Sequence, residues 1–394
     1  MADFTENFSN DFIINHLGED RETYLNAGAP PVFQSSMFAF PNLEAMRNAL
    51  RHESSQPFYS RGTNPNLEML GKKLAALEGG EACLLFASGS AAIAAAVCSF
   101  VQQGDHVVCV EKPYSWTGKL LTQWLSRFGV QTTFVDGSVA SVEAAINPKT
   151  RVLYLETPNS VTFEIQDIAA LTQIAKGKGI VSIVDNSYAT PIFQKPLALG
   201  ADISIHSASK YLSGHSDVVG GALICSAEHK ERIFAGEFMT LGGIMSPMNA
   251  WLVLRGLRTL EIRLKKSHEN GMAVARFLEQ HPSVEKVFYP WLESHPGNSI
   301  ARKQMTGAGG LLSVRFKSKD INKIEAFANQ LRYFLLACSW GSYESLCFPQ
   351  AALCDSANYQ SARVDPSMFR LYCGLDEAEN LMGDLERAIF LSGI

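Results

Sequence analysis

ACLLFA at 82–87, HVVCV at 106–110, TTFV at 132–135, RVLYL at 151–155, IVSIV at 180–184 and DISIH at 202–206 are six short apolar, β-rich runs, most of them separated by helix-length segments. Parallel strands need long crossover connections, and a sheet covered on both faces needs apolar residues at successive positions. Strands taking turns with helices therefore predict an α/β fold built on a mostly parallel sheet with helices on either side.

Outward from this stretch the pattern changes. Residues 1–60 show no sustained periodicity and contain Ala27-Gly-Ala-Pro-Pro31 and Gln56-Pro57, which favour an extended or irregular arm of the kind that wraps a neighbouring subunit. Leu67, Leu70, Leu74 and Leu77 have helical spacing, and Gly79-Gly80 stops the run. Ser246-Pro247 reads as a helix start, and the sequence from there to about 280 predicts one long helix linking two domains. A strand at 311–316, a helix near 320–332, strands near 333–338 and at 369–373, and a closing helix from about 376 to 392 predict a second, smaller α/β domain. The expected division is an arm over 1–60, a large domain over 61–256 and a smaller C-terminal domain over 257–394.

The chain has 394 residues, 46% hydrophobic and 19% charged, enough for a buried core and more than one domain. Its net charge is −5, with the basic residues dispersed, so no nucleic-acid partner is expected. Eight cysteines include no C-x-x-C pair, which argues against zinc and against a disulfide scaffold. The opening Met1-Ala-Asp-Phe-Thr-Glu lacks the pattern of a secretory signal, and a cytoplasmic protein with no membrane partner is expected. The uncharged stretch 82–101 is cut by Ser88-Gly89-Ser90 and is predicted to be a buried strand, a turn and a core helix.

Ser207-Ala-Ser-Lys210-Tyr-Leu-Ser-Gly-His-Ser-Asp217 carries the most chemical information. A lysine just past a buried strand is either an ordinary surface lysine or an amine held in a desolvated pocket, where its pKa falls and it can form an imine with an aldehyde cofactor. Ser207 and Ser209 could hydrogen-bond a phosphate on that cofactor. Ser88-Gly89-Ser90, between a strand and an alanine-rich helix, is either an ordinary strand–glycine–helix junction of an α/β fold or an anion cup made by the free N–H groups of the helix N-terminus. Asp185 closes a β-branched strand, where it either N-caps the following helix or pairs with a protonated pyridine nitrogen. An imine-forming lysine, an anion cup and an acid upstream together point to pyridoxal 5'-phosphate.

Further motifs carry a family resemblance. They are Tyr59-Ser-Arg-Gly-Thr-Asn-Pro65, Ala87-Ser-Gly-Ser-Ala-Ala-Ile93, Glu156-Thr-Pro158, Val184-Asp-Asn186, the Lys210 segment, Arg255-Gly-Leu-Arg-Thr-Leu260, Ser339-Trp-Gly-Ser-Tyr-Glu-Ser-Leu346 and Arg370-Leu-Tyr-Cys-Gly374. In this order they resemble the Cys/Met-metabolism, or trans-sulfuration, family of pyridoxal-phosphate enzymes, of fold type I (aspartate-aminotransferase-like). The resemblance implies that Lys210 holds the cofactor and later moves protons, and that Tyr114 stacks on its ring. It implies that Asp185 pairs the pyridine nitrogen, and that Gly89, Ser90, Ser207 and Ser209 bind the phosphate. Tyr59 and Arg61 are implied to reach the phosphate of a neighbouring subunit's cofactor, in a homotetramer built as a dimer of dimers. Arg370, with Ser339 and Trp340, is implied to bind the amino-acid substrate.

Within the family, Trp340 and the Glu156-Thr-Pro-Asn-Ser-Val-Thr-Phe-Glu-Ile165 stretch are similar to bacterial cystathionine β-lyases. They predict a carbon–sulfur lyase that eliminates at Cβ of cystathionine or a related S-substituted cysteine, giving pyruvate, ammonia and a thiol. The alternatives are γ-elimination, as in cystathionine or methionine γ-lyases, and γ-replacement, as in cystathionine γ-synthases or O-acylhomoserine sulfhydrylases. A catalytically silent binding protein is a further alternative. Cys338 matches neither the glutamate frequent in γ-acting members nor the tyrosine of β-lyases. Ser115-Trp116 stands where most relatives have two small residues, and Ser90 replaces a frequent methionine.

Overall fold

The structure is a computed structural model that describes residues 8–354 and 365–394. Seven strands form the larger sheet: β1 Ala82–Phe86, β2 His106–Val110, β3 Gln131–Val135, β4 Thr150–Glu156, β5 Val181–Asp185, β6 Ile203–Ser207 and β7 Gly221–Cys225. Their order is β1-β7-β6-β5-β4-β2-β3. The β3, β2, β4, β5 and β6 neighbours are parallel, whereas β7 runs antiparallel to both β6 and β1.

Successive side chains of a strand point to opposite faces, and here both faces are dry. Val107, Cys109, Tyr154, Ile183 and Ile205 join one apolar cluster, which includes Ala92, Ile93 and Ala96 of the helix Gly89–Cys98. Val108, Val110, Leu153, Leu155 and Val184 join another, against Ile168, Leu171 and Ala175 of the helix Ile168–Gly177. Continuous apolar runs rather than alternating ones are what this double burial demands. The uncharged stretch 82–101 is a strand followed by a buried helix, and among the described residues no helix is long and apolar enough to cross a membrane.

Five strands form the second sheet: β8 Val284–Phe288, β9 Leu311–Phe316, β10 Leu335–Leu336, β11 Leu346–Pro349 and β12 Met368–Tyr372, in the order β10-β11-β12-β9-β8. The helix Ala378–Ser392 closes the chain.

Besides the strands β8 and β11, which the sequence reading does not contain, four elements depart from it. The arm is not irregular throughout, because Leu43–Arg51 is a helix started by Asn42, whose Oδ1 accepts the Ala45 N–H at 2.8 Å. The stretch 247–280 is two helices, Pro247–Leu257 and Leu260–Gln280. The break at Arg258–Thr259 is bridged by Arg263, whose Nη2 donates to the Gly256 carbonyl at 2.8 Å. The strand expected near 333–338 is reduced to two residues, since Ser339 adopts φ +81° and the chain turns away. Strand β7 escaped notice because Gly220-Gly221 at its start reads as a turn.

Candidate active site

Asp185 and Glu156 end the adjacent parallel strands β5 and β4, in register with each other, and Ser207 ends β6. In an open parallel sheet the carboxyl ends of the strands, with the loops that follow them, form the crevice in which ligands bind. The Lys210 turn and the loop carrying Tyr114 extend from this same edge.

Lys210 is anchored from the second domain. Its Nζ donates to Ser339 Oγ and lies 5.5 Å from the centroid of the Trp340 ring. Trp340 is buried and packs edge-on against Tyr211, with centroids 5.5 Å apart. The 339–341 segment lies directly on the Lys210 backbone. A Cβ at Gly341, whose φ is +96°, would meet Tyr211 N at 2.7 Å and Lys210 C at 2.9 Å. Glycine is required by both the backbone angle and the approach. Burial, aided by the Arg370 guanidinium, brings the Lys210 amine down to about 8; Asp185 and Cys338 pull the other way.

The anion cup is built where helix Gly89–Cys98 meets Ser207. Ser88 caps this helix, its Oγ accepting the Ala91 N–H at 3.1 Å. A Cβ at Gly89 would come within 3.0 Å of Ser207 Cβ, and one at Gly221 within 2.2 Å of the Ser88 carbonyl oxygen. Glycines at both positions let the turn settle against β6 and β7, with the helix N-terminus beside the Ser207 hydroxyl. Ser209 is engaged with the neighbouring loop, its Oγ accepting the Gly220 N–H at 3.0 Å. Ser90 is exposed and lines, with Tyr114, Trp116 and Trp124, a cavity of about 730 Å³.

Asp185 is 8% exposed, its acidity weakened by burial. Its Oδ1 accepts the Ser187 N–H at 3.0 Å, which holds a turn; it is not a helix N-cap, because the N-cap of the next helix, Thr190–Phe193, is Ala189. Among the described residues it forms no ion pair within 4 Å. A buried carboxylate without a cation is costly, and a protonated ring nitrogen would offset that cost. The anion cup, the unpaired carboxylate and the low-pKa amine together fit pyridoxal phosphate.

Arg370, on β12, is half-buried and its Nη1 donates to the Ser160 carbonyl at 3.3 Å. Its Nε has no partner among the described residues, and burial brings its pKa down to about 10. A half-satisfied guanidinium facing the amine-bearing crevice suits a carboxylate, which accepts two parallel bonds.

Two site residues named from the sequence do not join this cluster within one chain. Tyr59 is 43% exposed, with Arg61 stacked over its ring at 5.5 Å, and no hydrogen bond or ion pair among the described residues links either to Lys210, Ser207 or Ser209. Glu156, which the sequence marks only as part of a motif, is 5% exposed and accepts the Tyr114 N–H at 2.5 Å. It could have been found by the signal that picked out Asp185, an acid at the carboxyl end of an apolar strand. Glu78 is fully buried and accepts bonds from Asn186, Ser204 and His206, holding β5 and β6 from behind.

The family profile described as Cys/Met metabolism PLP-dependent enzyme matches residues 12–390. The L-methionine gamma-lyase of Fusobacterium nucleatum is 39% identical over 381 residues, covering 95% of this chain and 96% of that protein. The cystathionine gamma-lyase of Bacillus subtilis is 37% identical, covering 95% of this chain and 97% of that protein, and the cystathionine gamma-synthase of Mycobacterium tuberculosis is 38% identical, covering 95% of each. Among solved structures, metB from Corynebacterium glutamicum superposes with a TM-score of 0.90 at 33% identity, covering 97% of this chain and 98% of that one. The metY chain of Campylobacter jejuni, solved with N'-pyridoxyl-lysine-5'-monophosphate, superposes at 0.91 with 30% identity, covering 97% of this chain and all of that one.

Proposed function

Given that the chain belongs to the Cys/Met-metabolism family of pyridoxal-phosphate-dependent enzymes, we propose that it is a carbon–sulfur lyase that eliminates at Cγ of a sulfur amino acid such as cystathionine or methionine. The γ-names of its relatives support this over the β-elimination expected from Trp340. The observation that carries the lyase reading is Lys210, an amine near neutrality held by Ser339 between Asp185 and Arg370.

Pyridoxal phosphate, when bound, supplies an electron sink that stabilises negative charge at the substrate Cα. Lys210 would hold it through the amine, with Asp185 facing the ring nitrogen and Gly89, Ser90, Ser207 and Ser209 around the phosphate. Arg370 would take the substrate carboxylate through its unpartnered face, placing the Cα–H bond toward the Lys210 side. With a value near 8, the Lys210 amine is neutral often enough at physiological pH to accept the Cα proton and basic enough to return it. Elimination at Cγ requires a second proton transfer at Cβ, and a single amine on a four-carbon stem serves both positions. Ser339 fixes the Nζ between transfers, and the buried Trp340 limits how far it swings.

The arm belongs to this reading. Leu43, Met46 and Leu50 lie on the helix Leu43–Arg51 at helical spacing and are exposed in a single chain. A second copy covering them would place its own Tyr59 and Arg61 at the neighbouring phosphate site, in the expected homotetramer, a dimer of dimers.

Incubating the holoenzyme with cystathionine and water is expected to yield cysteine, 2-oxobutyrate and ammonia. Pyruvate and homocysteine would return the assignment to β-elimination, for which the packing of Trp340 against Lys210 and Tyr211 is the favouring observation. Turnover only with an acylated homoserine and a thiol, with no keto acid, would make it a replacement enzyme.

A further inference from the structure

Glu156 is a buried carboxylate to which the mechanism above gives no task. Its Oε2 accepts the Tyr114 N–H at 2.5 Å, and its Oε1 accepts the Ser160 N–H at 3.3 Å. The Ser160 carbonyl in turn accepts the Arg370 Nη1 at 3.3 Å. Across the sheet, Glu156 is in register with Asp185. One side chain therefore touches the loop that presents Tyr114 and, through the single residue Ser160, the arginine of the other domain.

The arrangement is costly in electrostatic terms. Glu156 forms no ion pair within 4 Å among the described residues, although Arg370 is close enough to favour its charge. Burial and the neighbouring Asp185 push its carboxyl up to about 8. Beside a second acid, this buried group relies on the nearby Arg370 charge and on the bonds it makes, and both bonds here go to backbone amides of site-bearing loops. An apolar residue would fill the same volume without the desolvation cost but would take away the acceptor of these two backbone amides.

Resting on the lyase reading, we propose that Glu156 is a positioning residue that ties the cofactor-ring loop to the substrate-carboxylate arginine. It sets the distance between Tyr114 and Arg370, and so the fit of an α-amino acid whose carboxylate must reach Arg370 while its Cα stands over the ring. It takes no proton from substrate; its work is geometric.

The test uses cofactor-loaded wild type, Glu156→Ala and Glu156→Gln with cystathionine, with each melting midpoint recorded. Glu156→Ala is expected to raise KM at least about tenfold while kcat falls less than about threefold, since the two N–H groups lose their acceptor and Arg370 loses its fixed neighbour. Glu156→Gln retains one acceptor oxygen and is expected to recover part of the KM loss. A folded Glu156→Ala with KM within twofold of wild type would overturn the proposal. So would a fall in kcat with KM unchanged, which a proton-transferring group would give, or a glutamine variant no better than alanine. If the alanine variant does not fold, the glutamine variant decides alone: a raised KM supports positioning, and an unchanged KM overturns it. Failure of the lyase reading itself would look different, because the wild type would then form no keto acid from any sulfur amino acid.

Discussion

Lys210 and Glu156 sit in the same crevice with titrations displaced in opposite senses, and their contributions to stability have opposite pH slopes. The Lys210 amine falls from 10.5 to about 8. Between those values the unfolded chain binds more protons than the folded one, so its contribution to stability increases as pH rises from about 8 toward 10.5. Glu156 rises from 4.5 to about 8. There the folded chain binds more protons, so its contribution decreases as pH climbs from 4.5 to about 8. Urea unfolding of the cofactor-free protein at a series of pH values is expected to show Glu156→Gln flattening the decline below pH 8. Lys210→Met is expected to remove the gain above it. Slopes identical to wild type in both variants would mean that these groups are not held as described. At this scale the sequence was informative where chemistry and position coincide locally, as in Ser207-Ala-Ser-Lys210. It was silent where a residue matters through its neighbours. Glu156 and Asp185 look alike as letters, and only register and the Tyr114 amide distinguish their tasks.

Among the elements, the turn at 339–341 is the most constrained. Ser339 and Gly341 both have positive φ, and Gly341 presses against the Lys210–Tyr211 peptide. Gly341→Ala is expected to destabilise the protein by at least about 1 kcal/mol, because alanine resists this backbone angle and its methyl group must displace the peptide. Turnover should fall about tenfold or more as Ser339 and the Lys210 amine separate. Calorimetry and steady-state kinetics check both, and a variant matching wild type in melting midpoint and kcat would contradict the packing. The strands of the central sheet were readable because burial on both faces leaves an apolar signature that needs no knowledge of partners. Strand β7 was hidden by its glycines, although one of them, Gly221, is what lets the Ser88–Gly89 turn close over it. The helix Leu43–Arg51 was missed because its apolar positions are few and uncovered in one chain, which left its Asn42 cap as the main local sign.

For the whole molecule, the proposed sharing of sites can be tested by mixing chains. Lys210→Ala lacks the amine and Arg61→Ala lacks the reach to the neighbour, so each alone is expected to be inactive or nearly so. If association is random, half of the dimers are mixed, and each mixed dimer rebuilds one of its two sites. Co-refolded chains should then recover about one quarter of wild-type turnover. No recovery from correctly assembled mixtures would place Arg61 in its own chain's site. By itself the sequence determined the α/β class, the strands β4, β5 and β6 and the cofactor of the family, and it singled out Lys210 and Ser88-Gly89-Ser90 as candidates for holding it. Periodicity and short motifs depend on residues a few positions apart, and these are visible along a line. The tertiary structure alone decided that Ser339 meets Lys210 across 129 positions, and that Arg370 meets Ser160 across 210. Such meetings are set by how two sheets and their connecting helices pack, with glycines at 89, 221 and 341 permitting the approach.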